Sequence, residues 1–299
     1  MTISVVIPTK NRPQELFNFI NSLIKQSRKP DQVIVVDQSQ TKFCSKTRIE
    51  KKLTEKKINI SYIHDESING LVEAKATSVR LNKCDIISFF DDDIVLTPNY
   101  LKNIELVFQK NNHICGLNGL ILNNPKQSFL KYLFFEITHV GIFRDNRNKA
   151  YRNKSENLIE LDILSGGLSS WRAKVFNKIQ FDTINKFHGM EDVEFSIRVR
   201  KFFPKSLYLT KNSHLYHYHS ASNRKSEIKR VENDIIEGFK ILKKHSNNNF
   251  LLLNIILFLI NSFLHSILLS IKYKNLFFIS SFIKGFVKGA KIINDNLDS

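Results

Sequence analysis

The sequence predicts an α/β protein: a mostly parallel central sheet with helices on both faces, followed by C-terminal helices associated with a membrane. Three observations predict it. Short apolar, β-branched runs alternate with helical patterns through the first hundred residues, as right-handed βαβ units do. Acidic or polar residues stand where several of these runs stop. After about residue 246 the composition changes abruptly, and residues 250–271 form a 22-residue stretch without a formal charge.

Residues 3–7, closed by Pro8, read as a strand buried on both faces of a parallel sheet. Leu16, Phe19, Ile20, Leu23 and Ile24 then recur at helical spacing, led in by Arg12-Pro13 and closed before Pro30. Residues 33–36 form a second strand ending at Asp37, 58–63 a third, and 85–90 a fourth ending at Asp91-Asp92-Asp93. Helical stretches are expected at 43–56 and 70–81. Beyond residue 100 the alternation fades into a mixed region. It holds a helix near 99–109, an apolar segment 115–122, an aromatic stretch 129–143, a basic loop 144–154 and the turn Ser165-Gly166-Gly167. A helix over 191–202 follows, then a polar region near 212–229 and a helix to about His245.

The chain has 299 residues, of which 42% are hydrophobic and 24% charged, and a formal charge of +17. This composition excludes a disordered tail, a collagen-like repeat and a disulfide miniprotein. Cys44, Cys84 and Cys115 are odd in number and form no CxxC pair, which points to a reducing compartment. No secretory leader pattern opens the chain. The excess of basic residues fits nucleic acid, an anionic membrane or phosphorylated ligands.

Ligands in open α/β sheets bind at the carboxyl ends of the strands. That rule selects Pro8-Thr9, Asp37 and Asp91–Asp93. Two like charges about 4 Å apart repel by about 4 kcal/mol at an effective dielectric near 20, so three adjacent acids need solvent or a cation. They fit either a solvated loop or a site for a hard divalent metal. Glu191 and Asp192 open a helix, where acids act either as dipole partners or as a general base. His214, His217 and His219 alternate as a strand would place them on one face, and fit either surface histidines or a metal site.

In order and spacing, Val5-Val6-Ile7-Pro8-Thr9-Lys10-Asn11-Arg12, Val35-Val36-Asp37-Gln38-Ser39, Asn69-Gly70-Leu71, Phe90-Asp91-Asp92-Asp93, Ser165-Gly166-Gly167, Gly189-Met190-Glu191-Asp192 and His217 resemble family 2 glycosyltransferases with the GT-A fold. The resemblance covers about residues 1–240. It implies a metal-dependent inverting transfer of one sugar from a nucleotide-sugar to a glycan or lipid-linked acceptor in cell-surface polysaccharide synthesis. The donor would be a UDP-, dTDP- or GDP-sugar and the cofactor Mg²⁺ or Mn²⁺. It further implies that Pro8, Thr9, Asn11, Arg12, Asp37, Asn69, Gly70, Lys75, Asp91 and Asp92 bind the donor nucleotide. Asp93 and His217 would hold the metal, with His219 as the fallback. Asp192 would be the catalytic base, and Gly166, Gly167, Trp171 and Glu191 would line the acceptor and sugar pocket. Residues 1–100 would be the nucleotide-sugar half, 101–245 the acceptor and catalytic half of the same domain, and 246–299 a membrane-attachment segment.

The sequence departs from the family pattern at Gln38, where a second acid is common, and at Ala74-Lys75-Ala76, where Ala-Arg-Asn is common. The Gln-x-x-Arg-Trp motif of processive synthases is absent after Asp192, which implies a single sugar per event. Two other function classes compete. A nucleic-acid-binding protein would use the charge, but no reading module is visible. A nucleotidyltransferase would need a glycine-rich loop after the first strand, which 8–12 does not supply.

The apolar stretch 250–271 is long enough to span a bilayer core of about 30 Å. Asn254, Asn261 and His265 nevertheless fall on one stripe at 100° per residue. Residues 276–290 carry Lys284 and Lys288 on one side, as a basic amphipathic helix does. From Lys243 to Lys291 there are seven lysines and no acid. The expectation is peripheral or monotopic attachment to the cytoplasmic face of the inner membrane, with a spanning or re-entrant first helix as the alternative and no nucleic-acid partner.

Overall fold

A computed structural model describes residues 1–40, 45–125, 128–185, 187, 189–220, 226–246 and 248–294. Cys44, the expected helix start at Phe43, part of the polar region (221–225) and the last five residues lie outside the described residues; Cys84 and Cys115 are free thiols.

The elements run β1 (Ile3–Thr9), α1 (Pro13–Leu23), β2 (Gln32–Asp37), α2 (Ser45–Thr54), β3 (Asn59–His64), α3 (Leu71–Leu81), β4 (Ile86–Phe89), β5 (Ile94–Leu96), α4 (Tyr100–Lys110) and β6 (Gly116–Ile121). They continue with α5 (Phe129–Thr138), α6 (Arg147–Arg152), β7 (Leu158–Glu160), β8 (Ser169–Arg172), α7 (Glu191–Phe202), β9 (Leu207–His217), α8 (Glu227–His245), α9 (Asn248–Tyr273) and α10 (Phe277–Asn294). The sheet order is β3-β2-β1-β4-β8-β6-β9-β5, with β7 also on β9.

The expected parallel sheet is the β3-β2-β1-β4 half. The other half is mixed: β8 runs antiparallel to both β4 and β6, while β6 and β9 are parallel. Side chains alternate between faces along a strand. Ile3, Val5 and Ile7 of β1 therefore pack with Leu16, Phe19 and Ile20 of α1, Ile49 and Leu53 of α2, and Ile104 and Phe108 of α4. On the other face Val6, Ile34 and Phe89 pack with Val72 of α3 and Phe195 and Val199 of α7. The basic stretch expected as a loop contains α6.

The chain divides into two compact units, one of 1–126 with 147–223 and the other of 127–146 with 224–299. The boundary expected at 246 thus falls before α8. The reason is packing: α8 buries Val231, Ile235, Phe239 and Leu242, and α10 meets it through glycines. A Cβ on Gly285 would lie 3.0 Å from that of Ile235, and one on Gly289 would enter the Phe239 ring. Phe258 of α9 likewise fills the place of a side chain at Gly238.

Candidate active site

Parallel pairing in register sets Thr9 beside Asp37 and Asp37 beside His64, so the strand ends line one edge. The chain leaves β1 through Asn11 at φ 55°, with its N–H on Ser39 Oγ at 2.8 Å. This turn directs Arg12 back toward the acids. The Arg12 guanidinium donates to Asp92 Oδ1 at 3.0 Å, and Thr9 Oγ1 donates to Asp92 Oδ2 at 2.7 Å. Asp92 is 3% exposed, so this carboxylate braces β1 against the acidic loop. Burial pushes it up to about 6. Thr9, Arg12 and Asp92, expected at the nucleotide, thus use these groups on one another.

Asp37 is buried and accepts the Ser39 N–H at 3.0 Å and the Tyr62 hydroxyl at 2.7 Å. Burial, then the bond to Asp37, drives the Tyr62 hydroxyl well above the ordinary tyrosine range. Gly70 starts α3 at φ 96°, a conformation that favours glycine, and its N–H donates to Gln38 Oε1 at 3.0 Å. The Gln38 amide oxygen therefore ties the end of β2 to the start of α3. Asn69 is exposed, with its N–H on Glu73. Pro8 is buried at the end of β1.

Asp91, Asp93 and His217 offer one ligand atom each, all within 4.8 Å of one another. His217 Nε2 lies 3.0 Å from Asp93 Oδ1 and 3.7 Å from Asp91 Oδ2, and this buried nitrogen has no partner in hydrogen-bond geometry. Burial raises Asp93, but contact with His217, the Ser220 N–H and Arg12 outweighs it and holds the carboxyl below the usual range. Asp91 is raised by burial against the pull of Lys75 and His217. Two carboxylates and one imidazole converging on a point fit a divalent cation such as Mn²⁺ or Mg²⁺. The histidines do not share one face. His214 is an odd number of residues from His217, β9 ends at His217, and His219 is exposed at φ 51° with its ring against that of His217. Asp91, which the resemblance places among the donor-binding residues, stands in the cluster with Asp93 and His217.

The turn at Gly166 and Gly167 connects this cluster to α7. Asp91 N–H donates to Gly167 O at 2.9 Å, and a Cβ at Gly167 would collide with the Asp91 carboxylate. Gly166 N–H donates to Asp192 Oδ2 at 3.2 Å, and Asp192 Oδ1 accepts the Val193 N–H at 2.8 Å. Glu191 beside it is buried and paired with Lys75 at 3.1 Å; burial, offset in part by Lys75, raises its carboxyl. Lys75, expected at the nucleotide, points instead to Glu191 and to the Gly166 carbonyl. Trp171, expected to line the acceptor and sugar pocket, does not reach it. It is 3% exposed, its N–H is on Ser169 Oγ and its ring packs on Phe195, so it belongs to the core. Arg147, which the sequence showed only as part of a basic stretch, donates to Ser165 Oγ at 2.9 Å and lies 3.8 Å from Asp192 Oδ2.

Gly167→Ala should disturb Asp91 while leaving the rest of the core intact. The expected outcome is a stability loss of about 1–3 kcal/mol, the usual cost of overpacking, with weakened Mn²⁺ binding. Thermal melts and metal titration check it.

A half-parallel sheet whose strand ends carry a carboxylate–imidazole cluster beside a helix-opening Glu-Asp pair defines an α/β protein of the GT-A type. Residues 4–180 match the family described as "Glycosyl transferase family 2", and the chain belongs to that family. Among its relatives, Glycosyltransferase GlyA of Streptococcus pneumoniae serotype 4 is 26% identical over 238 residues, 77% of this chain and 32% of the relative. WcaA of Escherichia coli K12, named for colanic acid biosynthesis, is 29% identical over 99 residues, 33% of this chain and 35% of the relative. The chain spans about a third of the length of the curated relatives it matches. The solved mannosyltransferase PcManGT of Pyrobaculum calidifontis, in complex with GDP-Man and Mn²⁺, shares the fold. Its TM-score is 0.60 at 12% identity, covering 96% of this chain and 86% of that one.

Proposed function

We propose that this protein is a metal-dependent inverting glycosyltransferase that moves one sugar from a nucleotide-sugar to a glycan or lipid-linked acceptor in cell-surface polysaccharide synthesis. The observation that carries the reading is the turn at Gly166 and Gly167, which sets Asp91 of the cation cluster and Asp192 of α7 against one short segment. Family membership and the names of the relatives support the same class. The donor and metal of the structural neighbour support a nucleotide-sugar and a divalent cation.

Asp91, Asp93 and His217 would hold the cation, which when bound supplies positive charge to the departing nucleoside diphosphate. Asp192 accepts the proton of the acceptor hydroxyl, that oxygen bonds to the anomeric carbon, and the bond to the diphosphate breaks. One displacement inverts the anomeric centre. Thr9, Arg12 and Asp92 hold the acidic loop in place, and Arg147 presents positive charge beside Asp192. Thermal-shift screening of UDP-, dTDP- and GDP-sugars with Mn²⁺ or Mg²⁺, followed by product analysis, tests the reading. Stabilisation by none of them, and consumption of none, would refute it.

The second unit is compatible with membrane association, and we place it on the cytoplasmic face as a monotopic anchor. Among the described residues one helix, Asn249–Tyr273, is long and apolar enough to cross a bilayer. It is not independent of its neighbours: Phe258 seats on Gly238 in the middle of α8, close to Glu232, Asp234, Glu237 and Lys240 in sequence. A spanning α9 would draw those charges into hydrocarbon, at about 2.5–3.5 kcal/mol each or more. Leu252, Ile256, Ile260, Phe263 and Leu268 of α9 and Phe277, Ile283 and Val287 of α10 are exposed, with Lys272, Lys274, Lys284 and Lys291 exposed alongside. That combination suits an anionic interface. Ile260→Glu with Phe263→Glu should release the protein from phosphatidylglycerol vesicles in a flotation assay; retention of binding by the pair would place the anchor elsewhere.

A further inference from the structure

Lys75 is 2% exposed, and its ammonium donates to the Gly166 carbonyl and to Glu191 Oε1, each at 3.1 Å. It also faces the rings of Phe89 and Phe181, 5.7 and 5.9 Å from their centroids. A buried ion pair is a poor stabiliser compared with apolar side chains of the same volume, so stability alone does not account for this one. Its surroundings suggest another role. A Cβ at Gly166 would lie 2.6 Å from Glu191 Oε1 and 2.9 Å from Lys75 Nζ, so the turn rests directly on the pair. The same turn receives the Asp91 N–H at Gly167 O and donates its Gly166 N–H to Asp192.

We propose that Lys75 is a positioning residue rather than a nucleotide contact. Paired with Glu191, it holds the turn at Gly166 and Gly167 so that Asp91 and Asp192 keep their mutual placement. This rests on the glycosyltransferase reading above. It also ties α3, which begins at the Gly70 turn beside Gln38, to α7, where Asp192 stands.

The test uses the intact chain and four proteins: wild type, Lys75→Met, Glu191→Gln, and the double variant Lys75→Met with Glu191→Met. Three quantities are measured: calorimetric affinity for UDP, dTDP and GDP with Mn²⁺, release of nucleoside diphosphate from the matching nucleotide-sugar at saturation, and Tm. Misplacement of reacting groups by about 1 Å costs about 100-fold in rate. Lys75→Met is therefore expected to lose about 100-fold in turnover with nucleotide affinity within about twofold of wild type. The double variant is expected to regain Tm relative to Lys75→Met but not turnover, because two apolar side chains replace the pair in volume and not in hold on the turn.

Three results overturn the proposal while leaving the glycosyltransferase reading in place. Weakened nucleotide affinity with unchanged turnover in Lys75→Met would make Lys75 a donor contact. Turnover returning with Tm in the double variant would make the pair structural only. Unaltered turnover in Lys75→Met would remove any role. A wild-type chain that binds no nucleotide and consumes no nucleotide-sugar overturns the glycosyltransferase reading and this proposal together, which separates the two failures.

Discussion

Asp192→Asn is expected to abolish sugar transfer, by about 10²–10⁴-fold, while nucleoside diphosphate and Mn²⁺ still bind. Asparagine keeps the shape of the side chain and one oxygen for the Gly166 N–H, which now meets Asp192 Oδ2 at 3.2 Å, and gives up only the acceptor that Oδ1 offers the adjacent Val193 N–H at 2.8 Å. What it lacks is basicity. The fold at the start of α7 has further support, since Glu191 is anchored by Lys75 and Glu194 by Arg198 at 2.7 Å. The substitution therefore separates proton acceptance from architecture. Turnover and calorimetric nucleotide binding, measured on the same preparation, decide it. A variant with near wild-type turnover would mean that another group takes the proton.

Asp93→Asn is expected to remove the part of nucleotide binding that depends on the cation. Asp93 is 6% exposed, and its Oδ2 accepts the Ser220 N–H at 2.8 Å, a bond that an amide oxygen can also accept. Its charge is what faces His217 and Asp91. In the wild type, Mn²⁺ should raise affinity for the nucleoside diphosphate. In the variant that increment should fall by at least about tenfold, or about 1.4 kcal/mol, because one of two anionic ligands is gone. Titrations with and without Mn²⁺ read this directly. An undiminished increment in the variant would place the cation elsewhere.

Much of the parallel half was legible. β1, β2 and β4 are mainly apolar, β-branched runs whose residues are all buried, and a strand covered on both faces leaves that signature in a sequence. α7 was equally plain, running Glu191–Phe202 as its pattern predicted. β5 and β8 were not. β5 has three residues, and β8 reads Ser169-Ser170-Trp171-Arg172, which carries no strand periodicity. β8 lies between β4 and β6 because its polar groups find partners far away in the chain. Ser170 bonds Ser88 at 2.8 Å, and the Arg172 guanidinium donates to the carbonyls of Ile114 and Asn111 at 2.8 and 3.0 Å.

The same distinction separates the parts of the site. The acids after β4 and the Glu-Asp pair of α7 stand at ends of elements that the sequence delimits by itself, because hydrophobic periodicity is a local property. The sequence thereby determined the family, the α/β core and a short list of acids and histidines. Tertiary structure decided which of them meet. Asp91 and Asp93 share a point with His217 because β5 pairs with β9, setting Ile94 opposite His217. Lys75 pairs with Glu191 across 116 residues, Asp92 became a brace, and Trp171 went to the core. Each outcome depends on packing and charge compensation between segments distant in sequence, and no local pattern records those.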